Sequence, residues 1–152
     1  MSKMVMMLVD DEERFLSTTS KLLSKKGIEP LTAISGQEAL DKLEKEYVDV
    51  VILDVKMPGM DGVTALKHIK ARYPLVEVIM LTGHGTIDSA VEGMKTGAYD
   101  YLTKPCDLDE LMAKAEEAFA RKQVMEEKIR MAQVRKAMAS PREVVKETKG
   151  GR

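Results

Sequence analysis

Tryptophan is absent from this chain, and four tyrosines and two phenylalanines are its only aromatic rings. There is one cysteine, Cys106, so no intrachain disulfide can form, and two scattered histidines add no zinc ligand cluster. An excess of charge is missing too: 24 Lys and Arg against 25 Asp and Glu leave a net charge of -1. That balance removes the basic field nucleic-acid binding draws on and the acidic excess of disordered chains. No apolar run approaches the roughly 20 residues of a membrane span. The run Met4–Val9 is followed by four acids and is too short for a secretory signal. These absences predict a cytoplasmic protein with neither nucleic acid nor membrane as partner.

What is present is ordered. Of the 152 residues, 44% are hydrophobic, enough for a real core. Five short apolar runs, Met4–Val9, Ile28–Ala33, Val50–Leu53, Val76–Leu81 and Tyr99–Leu102, alternate with helical patterns over 12–26, 36–46, 62–72 and 86–96. A long helix is predicted from Leu108. Three runs (MVMMLV, VVILD, VEVIML) are almost continuously apolar, which marks strands buried on both faces of a parallel sheet. The alternation calls for right-handed crossovers and helices on both faces. Pro30 within the second run and Asp100 in the short fifth make those two the edges. The predicted order is 2-1-3-4-5, with ligands bound where the carboxyl ends of the strands meet.

Chemistry gathers at those ends. The first strand runs into Asp10-Asp11, the third into Asp54, the fourth into Thr82, and the fifth is followed by Lys104-Pro105. Three carboxylates on one rim repel each other unless protons or a cation neutralise them, and an all-oxygen set suits Mg²⁺. A cation, an ammonium and a hydroxyl around one carboxylate are what phosphoryl transfer needs, and an aspartate can be its nucleophile. Asp54, alone at the end of the central strand, is the best acceptor; Asp10 and Asp11 then hold the metal. Each residue also has a plainer use. The acid pair could cap a helix, Asp54 could begin a turn, and Lys104 and Thr82 could be solvated or capping groups. The case rests on their falling together.

The motifs LVDDEE at 8–13, VILDVKMPGMDG at 51–62, LTGHGT at 81–86 and GAYDYLTKP at 97–105 resemble those of the receiver domain of two-component response regulators. The resemblance spans about Met4 to Phe119 and is nearest to nitrogen-regulator receivers that precede σ54-activating ATPases. It implies a flavodoxin-like (βα)5 doubly wound sheet with an extended C-terminal helix. It implies that Asp54 takes a phosphoryl group from a histidine kinase or phosphotransfer protein, with catalysis limited to that acceptance and its hydrolysis. Asp11, Asp54 and the backbone carbonyl of Lys56 would ligate Mg²⁺, with Asp10 acting mainly through water. Lys104 and Thr82 would meet the phosphoryl group, the Lys104–Pro105 bond would be cis, and Thr82 would be coupled to Tyr101 as a switch. Lys56 and His84 would tune the phosphoryl lifetime, while His68 is an exposed helix residue and Cys106 an inert thiol. The output would be the surface of the fourth helix, fifth strand and fifth helix. Where related receivers carry a basic residue in the fourth helix, Ala90 stands here, so a more apolar contact is expected there; Asp100, Glu110 and Lys114 supply part of a charged network.

The predicted division is a receiver over 1–120 and a helical extension with a mobile tail over 121–152. Leu108, Leu111, Ala115, Ala118, Lys122, Met125, Ile129 and Ala132 follow an alternation of four and three that can continue as a coiled coil, with Lys122 as an interruption. Ser140-Pro141-Arg142-Glu143 reads as a capping box, followed by a basic tail. No P-loop is present and no output domain fits, so a stand-alone regulator is expected, binding a downstream protein or a second copy through the switch surface or the long helix. Two rivals are a Mg²⁺-dependent aspartyl-phosphate phosphatase, which would want an acid at position 56, and a receiver-like oligomerisation module.

Overall fold

The computed structural model describes residues 3–83 and 87–139. Five parallel strands, β1 (Met6–Val9), β2 (Leu31–Ala33), β3 (Val50–Asp54), β4 (Glu77–Thr82) and β5 (Asp100–Thr103), form one sheet in the order 2-1-3-4-5. The helices between and after them are α1 (Glu13–Lys25), α2 (Gly36–Lys45), α3 (Gly62–Arg72), α4 (Ile87–Thr96) and α5 (Leu108–Ala139). The chain divides into two compact units, Met1–Lys122 and Gln123–Arg152.

The continuous apolar runs are explained by two cores, one per sheet face. Met7, Val9, Val51, Leu53, Val78 and Met80 pack with Ala39, Leu40, Leu43, Leu66 and Ile69 of α2 and α3. Their strand neighbours Met6, Leu8, Val50, Ile52, Ile79 and Leu81 pack with Leu16, Leu23, Leu111, Ala115 and Ala118 of α1 and α5. Side chains alternate across a strand, so a strand covered on both faces has no polar position to spare. Pairing aligns Met6–Val9 with Val50–Leu53, and Val50–Asp54 with Glu77–Leu81. The ends carrying Asp10, Asp54 and Thr82 therefore lie on one rim.

Short-range chemistry sets the boundaries. Ser35 accepts the Glu38 N–H at the start of α2, and Asp61 accepts the Thr64 N–H at the start of α3. Gly27, at φ +86°, turns the chain out of α1, a conformation a side chain would resist. The second strand begins at Leu31, so Pro30 precedes it instead of lying within it: the ladder starts once there are N–H groups to donate.

Two periodicity readings change. In α4, where the pattern Ile87, Ala90, Val91 and Met94 reads as a single helical face, Ala90 and Gly93 are buried, whereas Ile87, Val91 and Met94 are exposed. The apolar stripe faces outward, and Ala90 belongs to the packed side. Lys122 is no interruption. It is 2% exposed, 3.1 Å from the buried Asp49, and stands over the Tyr47 ring. In the second unit the described part, through Ala139, is helix, with Val124, Met125, Ile129, Met131, Val134 and Met138 exposed. The capping box at 140–143 and the basic tail lie outside the described residues. Among the described residues, no helix is long and apolar enough to cross a membrane.

Candidate functional site

The parallel register delivers Asp10 and Asp54 to the rim, and Asp11 follows Asp10 directly. One carboxylate oxygen from each of the three lies within 4.8 Å of the others. Asp10 is fully buried: its Oδ1 accepts the Glu12 N–H at 2.9 Å and its Oδ2 accepts from Lys104 Nζ at 2.6 Å. Glu12, not either aspartate, occupies the cap position of α1. Its side chain is turned to Lys104, 3.4 Å away, in place of the helix N–H groups. Asp54 is 7% exposed, and its Oδ1 lies 3.6 Å from the Lys104 ammonium.

Burial, reinforced by the Asp10 charge, raises the Asp54 carboxyl to about 6; Lys104 offsets only part of this. On Lys104, burial works against the charge, but the hydrogen bond and charge of Asp10 outweigh it and lift its pKa. A carboxylate trio with one ammonium leaves excess negative charge in a half-enclosed, all-oxygen site. That donor set fits a hard divalent cation of the Mg²⁺ kind.

Lys104 reaches this rim from the loop after β5. Its backbone N–H donates to the Thr82 carbonyl at 2.7 Å, and the Lys104–Pro105 bond is cis. Thr82 is fully buried and its hydroxyl donates to the Leu102 carbonyl at 3.4 Å. Tyr101, paired with Met80 across the β4–β5 ladder, is 40% exposed. Lys56 is exposed and borders a shallow hollow of about 360 Å³ with Met57, Pro58 and Asp61. His84 lies outside the described residues, and His68 is exposed. Burial, then the acids Glu110 and Asp107, push the Cys106 thiol up, which keeps it protonated.

The model of the response regulator receiver domain matches residues 6–116. The chain belongs to the response regulator receiver family. It is 39% identical over 120 residues to the DNA-binding transcriptional regulator NtrC of Klebsiella pneumoniae, covering 79% of this chain and 26% of that protein. It is 43% identical over 114 residues to a putative NtrX-like response regulator of Rickettsia bellii, covering 74% and 24%. A receiver-domain crystal structure from Clostridium thermocellum superposes with a TM-score of 0.78 at 38% identity, covering 81% of this chain and 99% of that one. The chain thus spans about a quarter of the length of the curated relatives it matches. The receiver fold is that of a phosphoacceptor in two-component signalling, which interacts with histidine kinases and downstream targets.

Three neighbours of the site were not legible in the sequence. Glu12 counted there only as one acid in a row, and Phe15 only as an apolar helix position. Yet the Lys104 ammonium stands 4.7 Å from the Phe15 ring centroid. Gly62 was only the first residue of the predicted third helix. In the structure it lets α3 start directly against β3, because a Cβ there would sit 2.3 Å from the Asp54 carbonyl oxygen.

Proposed function

We propose that Asp54 is the phosphoacceptor of this receiver, taking the group from a histidine kinase or histidine phosphotransfer protein. The observation that carries the reading is the convergence of Asp10, Asp11 and Asp54 with Lys104 at 3.6 Å from Asp54. An Asp54 oxygen attacks phosphorus, the phosphorus–nitrogen bond of the donor phosphohistidine breaks, and its electron pair stays on the imidazole. The product is a mixed anhydride on Asp54. Hydrolysis reverses the assignment: water attacks phosphorus, the Asp54–phosphorus linkage breaks, and carboxylate and inorganic phosphate result.

Asp10, Asp11, Asp54 and the Lys56 backbone carbonyl are the groups that would hold Mg²⁺, which supplies charge neutralisation for the phosphoryl oxygens when bound. The chain's own residues do the rest. Asp54 must be deprotonated to attack, and the Lys104 charge beside it favours that form. Lys104 is in reach of the incoming phosphoryl oxygens, where a fixed ammonium is worth most because the surroundings are partly dry. Thr82 supplies the hydroxyl donor on the neighbouring strand end. Lys56, with His84, is assigned to the lifetime of the anhydride through access of water.

The output reading rests on the outward stripe Ile87, Val91 and Met94 beside the exposed Tyr101. Turning the Thr82 hydroxyl toward a phosphoryl oxygen would end its bond to the Leu102 carbonyl and leave room for Tyr101 to turn in. One local charge event then biases a two-state surface. We assign this chemistry to residues 1–120 and an interaction role to 121–152. The test is intact mass after incubation with acetyl phosphate and Mg²⁺. One phosphoryl group should add to the wild type and none to Asp54→Asn. Sustained turnover of a phosphomonoester would move the reading to a phosphatase, and no uptake to an oligomerisation module.

A further inference from the structure

A lysine used at a phosphoryl site must be held there, because its four-carbon stem has many rotamers and ordering it is costly. Asp10 and Glu12 hold the Lys104 ammonium electrostatically, at 2.6 and 3.4 Å. Glu12 is 67% exposed, and such a pair contributes little in water. Besides these two and Asp54, at 3.6 Å, the ammonium meets Phe15, half-buried in the first turn of α1, with its ring centroid 4.7 Å from Nζ. That distance is within cation–π range. The same ring lines a hollow of about 540 Å³ with Thr18, Leu22 and Cys106. Lys104 borders that hollow as well, so losing the ring would open more of its ammonium to water there.

We infer that Phe15 is a positioning residue that keeps the Lys104 ammonium over the acceptor rim. This rests on the Asp54 reading for its consequence, but not for its geometry. The ring attracts the charge through its face, excludes water on one side, and leaves the donors free to turn from Asp10 toward a phosphoryl group on Asp54. The cost of ordering the side chain is thereby met before the donor arrives.

The test uses the whole chain with ¹³C-labelled lysine. In the wild type, the Lys104 ε-methylene protons should be shifted upfield by the ring; a Lys104→Arg variant assigns the signal. Phe15→Leu should return that signal to the position of the other lysines and slow labelling by acetyl phosphate about 3-fold, the factor expected of a partly exposed cation–π contact. Phe15→Tyr, which keeps the face, should restore both. In a Lys104→Met background, Phe15→Leu should cause no further slowing. An unmoved Lys104 signal in Phe15→Leu overturns the inference, as does equal slowing with and without Lys104, which would show that the ring serves packing alone. If the wild type takes no phosphoryl group at all, the Asp54 reading fails while the resonance measurement still decides the role of Phe15.

Discussion

At Asp54 two influences meet: burial and neighbouring acids favour the neutral carboxyl, while Lys104 favours the carboxylate. The first wins, to a value of about 6 against 3.8 when free. A pKa raised on folding contributes stability below the free value, and that contribution is lost as pH rises through the folded value. Metal-free wild type should therefore fall behind Asp54→Asn as pH rises from 4 to 7.5. The gap should reach at most about 3 kcal/mol, as followed by urea unfolding. A gap that shrinks toward neutral pH would contradict the assignment. Gly62 makes a second prediction. An added Cβ would lie 2.3 Å from the Asp54 carbonyl oxygen and 2.8 Å from Val55 Cα, both backbone atoms that cannot swing aside. Gly62→Ala should cost about 1–3 kcal/mol and slow phosphoryl uptake, because α3 must move away from the acceptor strand. Asp10, Asp54 and Lys104 were legible as a site because each follows a run that could only be a strand. Glu12, Phe15 and Gly62 were not, since their roles depend on distances between segments far apart in the sequence.

Among the elements, α5 shows where pattern reading fails. A lysine on an apolar stripe reads as an interruption, yet Lys122 is buried against Asp49, which also accepts the Val5 N–H at 2.8 Å. Next to it, Arg121 pairs with the buried Glu77 through both carboxylate oxygens, and Lys70 approaches the same acid at 3.9 Å. The Lys122 and Arg121 pairs fix α5 to the amino ends of β3 and β4, opposite the rim that carries Asp10 and Asp54. Lys122→Ala should cost about 3–5 kcal/mol by leaving Asp49 charged and buried. Lys122→Met combined with Asp49→Asn should recover most of that in chemical denaturation. An equal loss in both variants would show that an unpaired Asp49 charge is not what Lys122→Ala costs. The fourth helix misleads in the other direction. Its apolar residues look like a core stripe, but Ala90 and Gly93 make the contact and Gly93 fits closely over Met80. Small residues let the helix approach, and the large ones, Ile87, Val91 and Met94, are left on its exposed side. Hydrogen exchange should change over Ile87–Thr96 and Asp100–Thr103 when beryllofluoride, a phosphoryl mimic, is added with Mg²⁺, with α2 unaffected. A response confined to the acceptor loops would remove the switch from the account.

For the whole molecule, strand order was legible because two edges betray themselves: Pro30 just before β2, and the polar Asp100 in β5. The register then aligns every strand end that carries chemistry, and family membership follows from the same motifs. What the sequence could not supply is the direction of each helix face and the partner that reads it. The central claim is that a phosphoryl group lands on Asp54, and borohydride trapping tests it most directly. Protein treated with acetyl phosphate and Mg²⁺ is reduced, which converts an acyl phosphate of aspartate to homoserine, and the peptides are sequenced by mass. The account predicts homoserine at position 54 alone. Reduction at Asp10 or Asp11, or none at any aspartate while a control receiver is labelled, would contradict it.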